Sequence, residues 1–159
     1  MGTTFLEMLA PGEHRRKPWT HGDVLVTEER DWRLNRAFYA RVGQGWKWTA
    51  RGNWTEEQWR EYAEDGDVRT WIARRGQDLA GYCELRKEDG EVEIVYFGLT
   101  PSCTGRGLGG EFLSRMLDEA WGWGPTRVWL HTCSLDHPGA IPNYLARGMT
   151  IAKVVEEIL

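Results

Sequence analysis

Glu93-Ile-Val-Tyr-Phe-Gly-Leu-Thr-Pro-Ser-Cys-Thr-Gly-Arg-Gly-Leu-Gly-Gly110 carries the strongest structural signal in this chain. An apolar run typical of a β-strand ends at Thr100, and a glycine-rich turn follows before an amphipathic helix begins. Glycine allows the backbone to adopt positive φ and to approach a ligand closely. The unpaired N–H groups and the dipole of a helix start attract anions. The stretch therefore predicts a phosphate-binding loop between a strand and a helix.

Three phosphate-binding motifs compete for this loop. A P-loop ends in Gly-Lys-Ser/Thr, and the turn contains no such lysine. A dinucleotide fingerprint, Gly-x-Gly-x-x-Gly, follows the first strand of a βαβ unit, whereas this turn has another spacing and comes late in the chain. The third motif, Gln/Arg-x-x-Gly-x-Gly/Ala, is the coenzyme A loop of the GNAT family of acetyltransferases. Residues 104–109 resemble it at every position except the first, Thr104.

A second motif lies downstream and supports the same family. Ala140-Ile-Pro-Asn-Tyr-Leu-Ala-Arg-Gly-Met149 resembles the GNAT signature Ala-x-x-x-Tyr-x-x-x-Gly-Phe, with Met149 in place of the aromatic residue. The two motifs occur in the family's order, and the resemblance extends over residues 68–155. It implies the GNAT fold, an α+β fold whose mixed, mostly antiparallel sheet is flanked by helices. It also implies direct transfer of an acetyl group from acetyl-CoA to an amine.

The composition of the 159-residue chain is that of a globular protein, with 41% hydrophobic residues. We expect a single domain over residues 23–159 after an irregular lead-in of residues 1–22. A net charge of −4 argues against a nucleic-acid partner. No apolar run is long enough for a membrane span, and the N-terminus does not resemble a signal peptide. Three scattered cysteines favour a reduced, cytoplasmic protein, which we expect to be a monomer or homodimer.

Apolar periodicity predicts the element order β-α-α-β-β-β-α-β-α-β, which is the order of the GNAT fold. The first helix is predicted over residues 31–42, and Thr55 and Gln58 predict a capping box at the start of the second. The helix after the glycine turn is predicted over residues 107–120, with Glu111 on its solvent side.

The resemblance points to two residues for acid–base chemistry. Glu93 begins the strand that leads to the glycine turn, where the histone-acetylating branch of the family has a catalytic glutamate, and it is the candidate base. Glu91, on the same face, or a chain of water molecules is the alternative. Tyr144 is the candidate acid, because a phenol is protonated at neutral pH and can donate to the leaving thiolate. Packing on the sheet is the competing interpretation of Tyr144.

The resemblance also implies which residues bind coenzyme A. Backbone groups around Phe97 and Leu99 pair with the pantetheine arm, and the glycine turn binds the diphosphate. Thr104 replaces the residue that usually helps with the diphosphate, so that Arg106 becomes a possible source of charge. The predicted cofactor-binding residues are Phe97, Gly98, Leu99, Thr104, Gly105, Arg106, Gly107, Leu108, Gly109, Gly110 and His137.

Two other kinds of site are weighed and set aside. His131, Asp136 and His137 match the ligand spacing of no standard metal site, so no metal is predicted. Cys103 lacks a suitably spaced His or Asp partner, and the resemblance implies transfer without a covalent enzyme intermediate. We therefore predict that Cys103 is a loop thiol.

Four of the ten tryptophans fall within residues 46–59. Trp46 and Trp48 are predicted to bind the acceptor, either as an apolar wall or as a cation–π seat, with helix packing as the alternative. The predicted function is an acetyl-CoA-dependent N-acetyltransferase that acts on the amine of a small molecule or amino acid. The alternatives are a lysine or N-terminal amine of a protein or peptide, and a catalytically silent module that binds acyl-CoA.

Overall fold

The computed structural model describes residues 2–46, 51–103, 107–133 and 138–156. Within these ranges, seven strands form one sheet, and four α-helices pack on it. The strands are β1 (Gly2–Met8), β2 (Val24–Glu28), β3 (Val68–Arg75), β4 (Asp78–Glu88), β5 (Glu91–Leu99), β6 (Arg127–Cys133) and β7 (Thr150–Glu156). The helices are α1 (Trp32–Trp46), α2 (Glu56–Glu64), α3 (Leu108–Gly122) and α4 (Ala140–Ala146). In the described ranges, no helix combines the length and the apolar character that a membrane crossing requires.

The strands are ordered β2-β3-β4-β5-β6-β1-β7 across the sheet. All neighbouring strands are antiparallel except β5 and β6, which are parallel. The predicted fold class, a mixed and mostly antiparallel sheet with flanking helices, is therefore confirmed. The predicted order of elements is also found, preceded by one additional strand at the N-terminus.

The additional strand corrects the prediction of an irregular lead-in over residues 1–22, which is wrong for β1. β1 lies between β6 and β7, so that Phe5 is opposite His131 on one side and Lys153 on the other. Leu6 and Met8 are completely buried in the core. The alternation of inward and outward residues in β1 is too short to predict a strand locally, and its partners are more than a hundred residues away in the sequence.

The two faces of the sheet are covered by different helices. Successive strand residues point to opposite faces. On β4, Cys83 and Leu85 therefore pack in the main core with α3, whereas Tyr82 faces α1 and stacks on Phe38 at a centroid distance of 5.3 Å. The α3 face of β1 and β6 is buried by the same core, while the opposite face of these strands is partly exposed.

Three helix boundaries can be compared with the predictions. α1 continues to Trp46, beyond the predicted end at residue 42. The capping box of α2 is confirmed, because the Thr55 hydroxyl accepts the Gln58 N–H and the Gln58 side chain accepts the Thr55 N–H. α3 begins directly after Gly107, whose φ of 80° lies in the left-handed region. A glycine at this position lets the chain turn sharply into the helix.

The parallel strands β5 and β6 separate after three positions. They pair from Glu91 opposite Arg127 to Glu93 opposite Trp129, and no further pairs form within the described residues. β5 continues to Leu99, close to the start of α3. Its register against β4 shifts between Ile94 and Tyr96, which marks a β-bulge. The result is a cleft that separates the backbone of the second half of β5 from β6.

Candidate active site

Aromatic rings from three elements pack together beside the second half of β5. The Phe97 ring of β5 stacks on Phe112 of α3 at a centroid distance of 5.3 Å. The Tyr144 ring of α4 lies 6.5 Å from the Phe97 ring in an edge-on arrangement, and Tyr144 is 7% exposed. Tyr144 therefore packs beside the strand whose far half leaves β6, and packing and chemistry are compatible roles for it.

The first turn of α3 lies next to β5 and α4. The Asn143 side chain of α4 donates a hydrogen bond to the Gly109 carbonyl over 3.2 Å. A Cβ at Gly109 would lie 3.6 Å from the Leu99 side chain, in ordinary van der Waals contact. Gly107, the N-cap residue, makes no side-chain capping bond. The N–H groups of this turn therefore fit an anionic group such as a diphosphate.

Glu93 is the last residue of β5 that pairs with β6, and its side chain lies on the face of the sheet that turns away from α3. It is 9% exposed. One of its carboxylate oxygens lies 3.6 Å from Arg86 Nη2 and the other 3.8 Å from His131 Nε2. Burial raises the pKa of Glu93, while the charges of Arg86 and His131 oppose this rise. The side chain of His131 is 51% exposed.

Glu91, the alternative base, has a different environment. Its carboxylate is 3.2 Å from the Arg127 guanidinium, which also contacts Glu7 at 2.8 Å. Glu91 is thus held in an ion-pair network, whereas the ion-pair contacts that Glu93 makes among the described residues are the two longer ones with Arg86 and His131. The arrangement favours Glu93 as the group that exchanges a proton.

A cavity of about 110 Å³ opens beside Glu93. Carboxylates outnumber cationic groups among its lining residues, and one aromatic ring completes the wall. Such a lining suits a positively charged amine. The lining residues are Arg86, Glu88, Asp89, Glu91, Glu93 and Trp129. Sequence reasoning missed Arg86 and Trp129, although strand alternation could have placed both on the face of Glu93.

A buried ion pair lies on the same face of the sheet as Glu93, between β4 and Arg51. Glu84 of β4 is completely buried, and its two oxygens lie 2.8 and 2.9 Å from Arg51 Nη1. The Arg51 guanidinium is also surrounded by the rings of Trp54, Tyr62 and Tyr96, at 4.2 to 4.6 Å from their centroids. Of the clustered tryptophans, Trp54 thus packs around a structural cation.

Several predicted residues cannot be compared with the structure. Trp48, Thr104, Gly105, Arg106, Asp136 and His137 lie outside the described residues, as does the side chain of Trp46. Phe97, Gly98, Leu99, Gly107, Leu108, Gly109, Gly110 and Tyr144 are described and lie on β5, α3 with its N-cap, and α4. In the ranges that are described, no three His, Cys, Asp or Glu side chains form a group that could hold a metal ion.

Two parallel strands that separate beside the start of a helix are compatible with an acyltransferase. The comparison of sequences agrees. The sequence profile of the Acetyltransferase (GNAT) family matches residues 24–149. The chain therefore belongs to the GNAT family of acetyltransferases. A search of curated proteins finds no match.

Solved structures show the same fold. A GCN5-related N-acetyltransferase from Kribbella flavida has a TM-score of 0.70 at 19% identity, over 97% of this chain and 56% of that one. A GCN5-related N-acetyltransferase from Sphaerobacter thermophilus has a TM-score of 0.70 at 16% identity, over 96% of this chain and 49% of that one. An aminoglycoside acetyltransferase from an uncultured soil metagenomic sample has a TM-score of 0.71 at 10% identity, over 87% of this chain and 96% of that one. The chain spans about half the length of the first two proteins. These identities establish the fold alone.

Proposed function

We propose that the chain transfers an acetyl group from acetyl-CoA to an amine. The observation that carries this proposal is the cleft between β5 and β6. Glu93 stands where the strands part, on the face away from α3, and Phe97 lies further along β5 with its ring beside Tyr144 on the α3 side. The start of α3 lies near the end of β5. The separated strands leave room for an extended donor between a candidate base and an anion-binding helix start.

The donor-binding residues act mainly through their backbone. The N–H groups at the start of α3, including those of Gly109 and Gly110, would bind the diphosphate. The groups of Phe97, Gly98 and Leu99 that β6 does not pair would hydrogen-bond the pantetheine arm like an added strand. Thr104, Gly105, Arg106 and His137 complete the proposed set on the basis of the family motifs.

The acetyl donor supplies a thioester carbonyl, which the neutral amine nitrogen of the acceptor attacks. An N–C bond forms and the C–S bond breaks. Glu93 accepts the proton that the nitrogen loses, directly or through a water molecule, and the Tyr144 hydroxyl donates a proton to the departing thiolate. Tyr144 regains its proton from solvent and Glu93 releases one, so that the products are an acetylated amine and the free thiol.

The environment of Glu93 suits a base. Because burial raises the pKa of Glu93, its carboxylate binds a proton more strongly than an ordinary glutamate does. Arg86 and His131 oppose this rise, because positive charge beside the carboxylate favours its ionised form. The partial exposure of His131 provides a route by which the accepted proton returns to solvent.

We propose a small-molecule or amino-acid amine as acceptor. The carboxylate-rich cavity beside Glu93 supports this, because it would attract an ammonium group before the amine loses its proton. Trp129 adds an aromatic wall, and Trp46 and Trp48 are proposed to bind the acceptor as well. One structural neighbour is named an aminoglycoside acetyltransferase, so amines of that class belong among the acceptors to be tested.

A peptide amine is the second candidate. The face of β1 and β6 beyond Glu93 is open, and it presents the partly exposed rings of Phe5, Trp129 and His131. An open, aromatic face next to the cleft could support an extended chain whose lysine or N-terminal amine reaches Glu93.

Two measurements test the proposal. Acetyl-CoA should raise the melting temperature, and the protein should release CoA when amines, amino acids and lysine-containing peptides are offered. Stabilisation by acetyl-CoA without release from any acceptor would favour a silent acyl-CoA-binding module. If millimolar acetyl-CoA does not stabilise the protein and no CoA is released, both functions are overturned. A preference for peptides, retained after Trp46→Ala and Trp48→Ala, would favour the second candidate over the first.

A further inference from the structure

Residues 13–21, which we term the N-terminal strap, run along α3 between β1 and β2. Both ends of the strap are held by buried side chains. His14, whose side chain is 1% exposed, lies 3.0 Å from Ser114 Oγ through Nε2 and 3.4 Å from Asp118 through Nδ1. Near the other end, Thr20 donates hydrogen bonds to the Glu111 carboxylate from its N–H and its hydroxyl. The strap is thereby fixed along the first turns of α3.

Lys17 lies between these two attachments. Its N–H donates to Ser114 Oγ over 3.0 Å, and its ammonium donates to the Gly107 carbonyl over 3.3 Å. The absence of a side chain at Gly110 makes this approach possible, because a Cβ there would lie 3.1 Å from Lys17 Cδ and 3.2 Å from Nζ. The lysine side chain is therefore directed onto the glycine turn by backbone that is anchored on both sides.

The position of this ammonium is electrostatically unfavourable without an anion. The N-terminus of α3 carries a partial positive charge, which repels a cation placed beside it. Among the side chains that the structure describes, no carboxylate forms an ion pair with Lys17, since the nearby acidic residues Glu111 and Asp118 contact His21, His14 and Arg16. An anion that touched both the helix start and the ammonium would turn this repulsion into two attractive contacts.

We propose that Lys17 binds a phosphate group of the acyl-CoA donor at the start of α3. This inference rests on the proposed function. It gives a role to the lysine of the basic sequence Arg15-Arg16-Lys17 and supplies a charge near Thr104, which has none. The ligand chemistry is a phosphate ester, which in this donor is either the diphosphate or the 3′-phosphate of the ribose.

Calorimetric titration of CoA into the wild type, Lys17→Met and Arg16→Met tests the proposal. Arg16 is the matched control, because it belongs to the same strap and its side chain is 74% exposed. We expect Lys17→Met to weaken CoA binding about 10- to 100-fold, the range for one charge-assisted hydrogen bond, and Arg16→Met to change it less than about threefold. Lys17→Arg should retain most of the affinity, and pantetheine should bind Lys17→Met and the wild type equally.

Dephospho-CoA separates the two phosphate sources. If the effect of Lys17→Met persists with this ligand, Lys17 contacts the diphosphate, and if it disappears, Lys17 contacts the 3′-phosphate. A folded Lys17→Met protein that binds CoA as the wild type does would overturn the inference and leave the proposed function intact. An equal loss in Arg16→Met would also overturn it, as an effect of net charge. If the wild type binds no CoA, the proposed function fails first.

Discussion

Gly148, which follows α4, packs directly against the backbone of Glu13 in the N-terminal strap. Its φ is 103°, and a Cβ at this position would overlap the Glu13 carbonyl oxygen. Beside it, the Arg15 N–H donates to the Arg147 carbonyl over 2.8 Å. The glycine of the second sequence motif thus does more than end a helix, because it lets the strap approach α4 closely.

We therefore expect Gly148→Ala to lower the free energy of unfolding by at least about 1–3 kcal/mol, the cost of a strained backbone conformation, with the steric overlap added to it. Urea denaturation measures the change. Gly12→Ala is the control, since its Cβ would meet nothing within 4 Å. Equal stability of the two variants would show that the strap does not pack here.

The attachment of the strap through Glu111 should depend on pH. Burial would raise the pKa of Glu111, but hydrogen bonds from Thr20 and the contact with His21 lower it to about 2. Because the folded pKa lies below the unfolded value of about 4.3, the contribution to stability is complete above that value and is lost as the pH falls towards 2.

Glu111→Gln should consequently be less stable than the wild type at pH 7, by about 1.5–3 kcal/mol for hydrogen bonds to a charged group. This difference should shrink as the pH falls below about 4, because the Glu111 carboxylate of the unfolded wild type then binds a proton that the folded protein does not bind until the pH approaches 2. Urea denaturation at a series of pH values checks it. Glu119→Gln, which removes only an i,i+4 pair with Arg115, is the control. A difference that stays constant down to pH 3 would contradict this account.

The two glycines of the turn should respond differently to valine. At Gly109 the neighbours are at ordinary van der Waals distances and φ is not positive, so Gly109→Val should fold and lose CoA affinity by obstructing the anion site. Gly107→Val should also lose stability, because its φ of 80° strains any branched side chain. Titration with CoA and thermal melting separate these effects, with Gly122→Val at the open end of α3 as the control. Unchanged CoA affinity in folded Gly109→Val would mean that the diphosphate binds elsewhere.

Replacement of Glu93 tests the proposed base. Glu93→Gln should reduce kcat/KM about 10²- to 10⁴-fold, the usual range for general-base catalysis, while Glu91→Gln should have a much smaller effect. Because burial raises the pKa of Glu93, wild-type activity should fall as the pH drops through a value above the ordinary glutamate range, where the carboxylate becomes protonated. This acid limb should be absent in Glu93→Gln. If Glu91→Gln instead removes the limb, the roles of the two carboxylates are exchanged.

Tyr144→Phe retains the ring that packs beside Phe97 and removes only the hydroxyl. We expect kcat to fall about 10²-fold or more, without a comparable change in acetyl-CoA affinity, because a general acid acts on the leaving thiolate rather than on donor binding. Steady-state kinetics with a saturating acceptor, together with a binding titration, give the two quantities. Unchanged turnover would show that Tyr144 serves only in packing and that water protonates the thiolate.

Local patterns in the sequence determined much of the fold. The apolar strand, glycine turn and apolar helix stripe placed β5, Gly107 and α3 in order, and the capping box placed the start of α2. These features depend on residues that are close in the sequence, where backbone preference and side-chain periodicity act directly. The resemblance to the GNAT family singled out Glu93 and Tyr144 as candidates, and their roles remain predictions.

Other features depend on contacts between distant parts of the sequence, and only the tertiary structure reveals them. β1 becomes a strand because β6 and β7 supply its hydrogen bonds, and neither is near it in the sequence. Glu111 lies off the apolar stripe of α3, yet it is buried because the strap covers that side. Lys17 reaches Gly107 across 90 positions. A local pattern reports which side chains share a face, but which distant segment covers that face depends on the packing of the whole chain.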